Sequence, residues 1–126
     1  MKTIFVVDDD QERAEKTSRV LQLLDVEVKS FTNSVLALGE MEKNKPDLMV
    51  VDLFLPEMDG IQFVREARKL GVTASVIMLT NCEDVPHLKL LPSNKIEAVL
   101  LKSMSNADLA VVVGRVLGQR CLEGVA

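Results

Sequence analysis

Thr3-Ile4-Phe5-Val6-Val7 runs directly into Asp8-Asp9-Asp10, so a short apolar segment ends in three consecutive carboxylates. A continuous apolar run of this length with a polar stop reads as a strand buried on both faces. It is too short and too acidic at its end to be a secretory signal. Similar runs recur at 48–51, 75–79 and 98–101, and helix-period segments fill the spaces between them, at 11–24, 34–43, 60–70, 84–91 and 106–117. This alternation is the mark of βαβ units, and it predicts an α/β fold with a doubly wound, doubly covered parallel sheet in three layers. The four continuous runs have the pattern of central strands. Val26-Glu27-Val28-Lys29-Ser30 alternates apolar and polar residues instead and is expected at an edge.

The last helical segment carries the clearest stripe, formed by Leu109, Val112, Val113, Val116 and Leu117. Gly71 and Gly118 stand where C-caps favour a residue tolerant of left-handed geometry. The 84–91 helix is expected to be short, because Pro86 suits only a first turn and Pro92 ends it.

The 126 residues are 48% hydrophobic, enough for a single domain over 1–126 with its own core. A net charge of −4 argues against direct nucleic-acid binding, which depends on clustered cations. Two cysteines, Cys82 and Cys121, with no CxxC pair, fit a reducing cytoplasmic setting. No segment approaches membrane-spanning length.

Ligands of open parallel sheets bind beyond the carboxyl ends of the strands. The first strand ends at Asp8-Asp9-Asp10, the third at Asp52, the fourth at Thr80 and the fifth at Lys102, so these residues are expected on one rim. Carboxylates gathered there repel one another unless a cation joins them, and Mg²⁺, which takes oxygen ligands and retains water, is the natural one. Asp9 and Asp52 are candidate direct ligands, with Asp8 acting through water. Asp52 is the candidate nucleophile for a phosphoryl group, with Lys102 supplying charge and the Thr80 hydroxyl and Asn81 amide supplying hydrogen bonds.

Other features have plainer readings. Asp10 and Asp59 are expected to cap helices, and Glu57 and His87 to lie on the surface. Cys82 is read as a loop residue. Phe54 either shields the phosphoryl group or simply packs.

In these residues the chain resembles the receiver family, the phosphoacceptor domains of two-component response regulators. Val6-Val7-Asp8-Asp9-Asp10 is similar to the family's acidic pair. Val51-Asp52-Leu53-Phe54-Leu55-Pro56-Glu57-Met58-Asp59-Gly60 is similar to its phosphorylation segment, and Thr80 and Lys102 follow at family-like spacing. The resemblance implies strand order 2-1-3-4-5 and phosphorylation of Asp52 by a sensor histidine kinase or a histidine-phosphotransfer protein. It also implies Mg²⁺ near Asp8, Asp9, Asp52 and the carbonyl of Phe54. Output would pass to a protein partner through the face made by the fourth helix, fifth strand and last helix, with a homodimer left open. Such a chain is a switch that catalyses only its own phosphorylation and dephosphorylation, not an enzyme with a separate substrate.

Four departures bear on that output. Lys102 is followed by Ser103 where the family has proline with a cis bond; cis costs a non-proline residue about 3 kcal/mol, and both isomers stay open. Val99 stands where an aromatic residue often couples to the threonine, Asn81 where a small residue is common, and Pro86 and Pro92 interrupt the fourth helix. These departures raise the alternative of a degenerate receiver acting as a phosphorylation-independent interaction module. A haloacid-dehalogenase-like phosphatase uses similar groups but needs DxDx[TV] on its first strand, and here Glu12 fills the last of those positions.

Overall fold

The computed structural model describes the backbone of residues 1–80 and 96–125 and the side chains of 1–80 and 96–118. The helix expected at 84–91 lies outside the described residues, with Asn81, Cys82, Pro86, His87 and Pro92. The elements in chain order are β1 (Thr3–Val7), α1 (Gln11–Gln22), β2 (Glu27–Phe31), α2 (Ser34–Met41), β3 (Leu48–Asp52), α3 (Gly60–Lys69), β4 (Ser75–Thr80), β5 (Ile96–Leu101) and α4 (Asn106–Val125). The strands form one parallel sheet in the order β2-β1-β3-β4-β5, as the resemblance implied.

Side chains alternate between the two faces with period two. Phe5, Val7, Met49, Val51, Val76 and Met78 pack with Ala37 and Met41 of α2 and Phe63, Val64 and Ala67 of α3. Ile4, Val6, Leu48, Val50, Ile77 and Leu79 pack with Ala14 and Leu21 of α1 and Leu109 and Val113 of α4. Each fully buried aliphatic side chain contributes about 1.5–3 kcal/mol, so these two apolar layers hold the three-layer arrangement together.

Helix starts follow capping chemistry. Asp10 accepts the Arg13 amide at 3.1 Å, Asn33 accepts those of Val35 and Leu36 at 2.8 and 3.1 Å, and Asp59 accepts that of Gln62 at 2.8 Å. Asp10 and Asp59 thus take the capping places expected of them, and Glu57 is exposed.

The other glycine expectation divides. Gly71 has φ +86° and leads the chain out of α3, whereas α4 continues through Gly118 to Val125. A helix-interior glycine costs about 1 kcal/mol relative to alanine, which is not enough to end a helix whose apolar stripe is already docked on α1 and the sheet.

β5 also departs from its sequence pattern. It begins at Ile96, two residues early, with a register irregularity opposite Val76 and Ile77, and it is partly exposed at the sheet edge although it reads as a continuous apolar run. No helix of the described residues is long and apolar enough to cross a membrane.

Candidate functional site

The carboxyl ends of β1, β3, β4 and β5 bring Asp8, Asp9, Asp52, Thr80 and Lys102 to one rim of the sheet. Parallel pairing sets the depth of each. Asp52 lies opposite Leu79 in β4, and Thr80 lies opposite Leu101, one residue before Lys102. Asp8 and Asp52 are buried and Asp9 is exposed, and one carboxylate oxygen from each falls within 4.8 Å of the others. That spacing fits a single small oxygen-seeking cation.

The Asp52 carboxylate is held from several directions. Lys102 Nζ lies 2.8 Å from Oδ1, the Phe54 amide donates to the same oxygen at 3.2 Å, and Arg13 Nη2 lies 3.5 Å from Oδ2. Burial pushes the Asp52 carboxyl above its ordinary value, and the negative charge of Asp8 pushes the same way. The hydrogen bond and charge of Lys102 and the Phe54 amide pull against them without prevailing.

The Lys102–Ser103 peptide is trans, since the described residues contain no cis bond. Lys102 is aimed instead by its backbone. Its amide donates to the Thr80 carbonyl at 2.8 Å, and the Met104 amide closes a turn onto the Leu101 carbonyl at 3.0 Å. Thr80 itself is fully buried.

Phe54 is 52% exposed and pairs across a single antiparallel bridge with Asp59, at the start of the turn that leads to Gly60. Gly60 packs beneath the site. A β-carbon there would lie 2.7 Å from the Asp52 carbonyl oxygen, and the Gly60 amide donates to the Leu53 carbonyl. Gly60 therefore does more than punctuate a turn.

Sequence reading missed Arg13. Its Nε lies 2.6 Å from Asp8 Oδ2 and its Nη2 lies 3.0 Å from Asp8 Oδ1, a two-pronged contact that also reaches Asp52. The signal was available in helical spacing. Arg13, Thr17 and Leu21 stand four residues apart, and the latter two are buried on the inward side of α1. An arginine one turn earlier on that row reaches the carboxylates at the strand ends while staying partly exposed.

The geometry has close relatives. The model of the response regulator receiver domain matches residues 4–113. The response regulator MprA of Mycobacterium sp. (strain KMS) is 33% identical over 65% of this chain and 36% of its own length. The regulatory protein VanRc of Enterococcus gallinarum is 33% identical over 68% of this chain and 37% of its own. The chain thus spans about a third of the length of the curated relatives it matches. Among solved structures, a BeF3-activated DrrB receiver domain superposes with a TM-score of 0.82 at 27% identity, covering 94% of this chain and 98% of that one. A CheY-like receiver domain protein from Methanospirillum hungatei JF-1 gives 0.83 at 25% identity, covering 98% of both. With its sheet order, its acidic rim and a family match over most of its length, the chain belongs to the receiver domain family of two-component response regulators.

Proposed function

We propose that this receiver takes a phosphoryl group on Asp52, with Mg²⁺ held by Asp8, Asp9, Asp52 and the Phe54 carbonyl. The observation that carries the reading is the buried Asp52 carboxylate, with Lys102 Nζ 2.8 Å from one oxygen and two further carboxylates close by. When bound, Mg²⁺ would offset the charge of the incoming phosphoryl group. An oxygen of Asp52 attacks phosphorus, the new P–O bond forms as the bond to the phosphohistidine nitrogen breaks, and the imidazole leaves. Lys102, already on Asp52 Oδ1, turns to a phosphoryl oxygen, and the Thr80 hydroxyl donates to another. Hydrolysis of the acyl phosphate returns Asp52, so the chain turns over nothing but its own modification.

The phosphoryl donor is a sensor histidine kinase or a histidine-phosphotransfer protein, as befits a two-component receiver. The output is a changed affinity for a protein partner on the side of β5 and α4, because phosphate binds one arrangement of the strand ends better than the other. The setting is cytoplasmic, and residues 1–126 act as one domain.

The test is incorporation of phosphate from a small phosphodonor, followed by intact-protein mass. One phosphoryl group should appear in the presence of Mg²⁺, vanish with chelator, and be lost in Asp52→Asn. An unmodified wild-type chain at saturating donor and Mg²⁺ would leave a phosphorylation-independent interaction module as the function.

A further inference from the structure

Of the three carboxylates gathered at this rim, the two buried ones, Asp8 and Asp52, each meet a side-chain cation. Lys102 serves one oxygen of Asp52. Arg13 forks over Asp8, occupying Oδ2 at 2.6 Å and Oδ1 at 3.0 Å, and approaches the second oxygen of Asp52 at 3.5 Å. The Asp10 amide also donates to Asp8 Oδ1, at 2.9 Å. The oxygens a divalent ion would need from Asp8, directly or through water, are therefore already bonded to a guanidinium.

Arg13 also has somewhere to go. Its side chain is 35% exposed, unlike the carboxylates it spans. It borders an open cleft of about 290 Å³ whose other walls are Asp10, Glu12, Lys16 and Asn106; Glu12 is paired there with Lys16 at 2.9 Å, so Asp10 is the carboxylate nearest to receive a displaced guanidinium. A two-pronged guanidinium–carboxylate contact is strong and specific in direction, yet a divalent cation at the same oxygens repels it at contact distance.

We propose that Arg13 is a tethered counter-ion that occupies the cation position in the metal-free receiver, so that Mg²⁺ binds only by displacing it toward the cleft beside Asp10. Arg13 then sets the Mg²⁺ concentration at which Asp52 becomes competent for phosphorylation. This rests on the reading of the rim as a Mg²⁺ site. Arg13, like any arginine, stays charged at any working pH, and its hydrogen bond to Asp8 favours the charged form.

The test is Mg²⁺ titration of the whole chain by calorimetry, comparing wild type, Arg13→Gln and Arg13→Lys, with the Arg13 side-chain Nε–H followed by NMR in the wild type. Arg13→Gln should bind Mg²⁺ about tenfold more tightly, equivalent to about 1.4 kcal/mol. Arg13→Lys, which keeps the charge and loses the fork, should fall between. The wild-type Nε–H resonance should move, and its exchange with water should quicken, as Mg²⁺ saturates. Equal or weaker Mg²⁺ binding by Arg13→Gln overturns the proposal while leaving the metal site standing. A wild type that binds no Mg²⁺ removes the metal site and this proposal together. Should Arg13→Gln fail to fold, an Nε–H signal unmoved by saturating Mg²⁺ overturns it independently.

Discussion

β3 and β5 look alike in sequence and behave differently in the fold. Leu48-Met49-Val50-Val51-Asp52 is buried at every position, covered on both faces and paired on both sides by β1 and β4. Ile96-Glu97-Ala98-Val99-Leu100-Leu101 has a strand neighbour on one side only among the described residues, and its Leu101 is 39% exposed. β3 ends in the Asp52 carboxylate, the proposed acceptor, and the lysine that meets it, Lys102, directly follows β5. A carboxylate fixed in a doubly covered strand is held by the core, while a lysine just past an edge strand can shift with less disturbance to it.

The largest expected effect tests the packing half of that contrast. Met49→Ala, in the middle of β3 and fully buried, should lower stability by about 3 kcal/mol through lost burial and the cavity left behind. Leu101→Ala should cost less than about 1 kcal/mol, because much of that side chain already meets solvent. Urea unfolding of both variants decides it; equal losses would mean that β5 is as firmly held as β3, and the contrast would break.

A smaller effect tests how β3 is supported from below. Gly60→Ala places a β-carbon 2.7 Å from the Asp52 carbonyl oxygen, 2.8 Å from Met78 Sδ and 3.1 Å from Leu53 Cα. Two of those three contacts are backbone, so relief requires α3 or the end of β3 to shift. Gly60→Ala is expected to cost about 2 kcal/mol and to slow phosphorylation of Asp52 by moving its carboxylate. Thermal melting together with the phosphodonor assay checks both. Wild-type melting and labelling would show that the approach of α3 is slack rather than tight.

Much of this was legible before the fold was known, and the reasons are local. Strand existence follows from apolar runs, and the rim follows from where those runs stop, so Asp8, Asp52, Thr80 and Lys102 could be placed together without coordinates. The edge position of β2 shows in its alternation. β5 gave no such sign, because Ala98 to Leu101 is apolar on both faces whether or not a neighbour covers them. Gly118 misled for a related reason: a glycine near the end of a stripe marks a cap only when the backbone there turns left-handed, and that depends on packing beyond the local sequence. Arg13 was overlooked because charge on a first helical turn suggests solvent, although its spacing from Thr17 and Leu21 pointed inward. The Gly60 contact with the Asp52 carbonyl joins residues of separate elements and has no local signature.

The smallest expected effect concerns charge rather than packing, and it separates the two strand tips. Lys102 is 18% exposed at its side chain and keeps some access to water, whereas the Asp52 side chain is fully covered. Burial, reinforced by Asp8, raises the Asp52 carboxyl above its ordinary value of 3.8 despite Lys102 and the Phe54 amide. Between that ordinary value and the raised one, the folded chain holds a proton that the unfolded chain has released. Stability in metal-free buffer therefore falls as pH rises through this window and levels off above it. Asp52→Asn has no such proton to lose. It should melt a few degrees above the wild type at neutral pH in chelator, and the two should converge as pH drops below the ordinary carboxylate range. Saturating Mg²⁺ should raise the wild type and leave Asp52→Asn nearly unmoved, since the ion then meets the charge that burial penalises. Parallel melting profiles for the two proteins across this pH range, with and without Mg²⁺, would show that Asp52 is as well solvated at the end of β3 as Lys102 is at the end of β5.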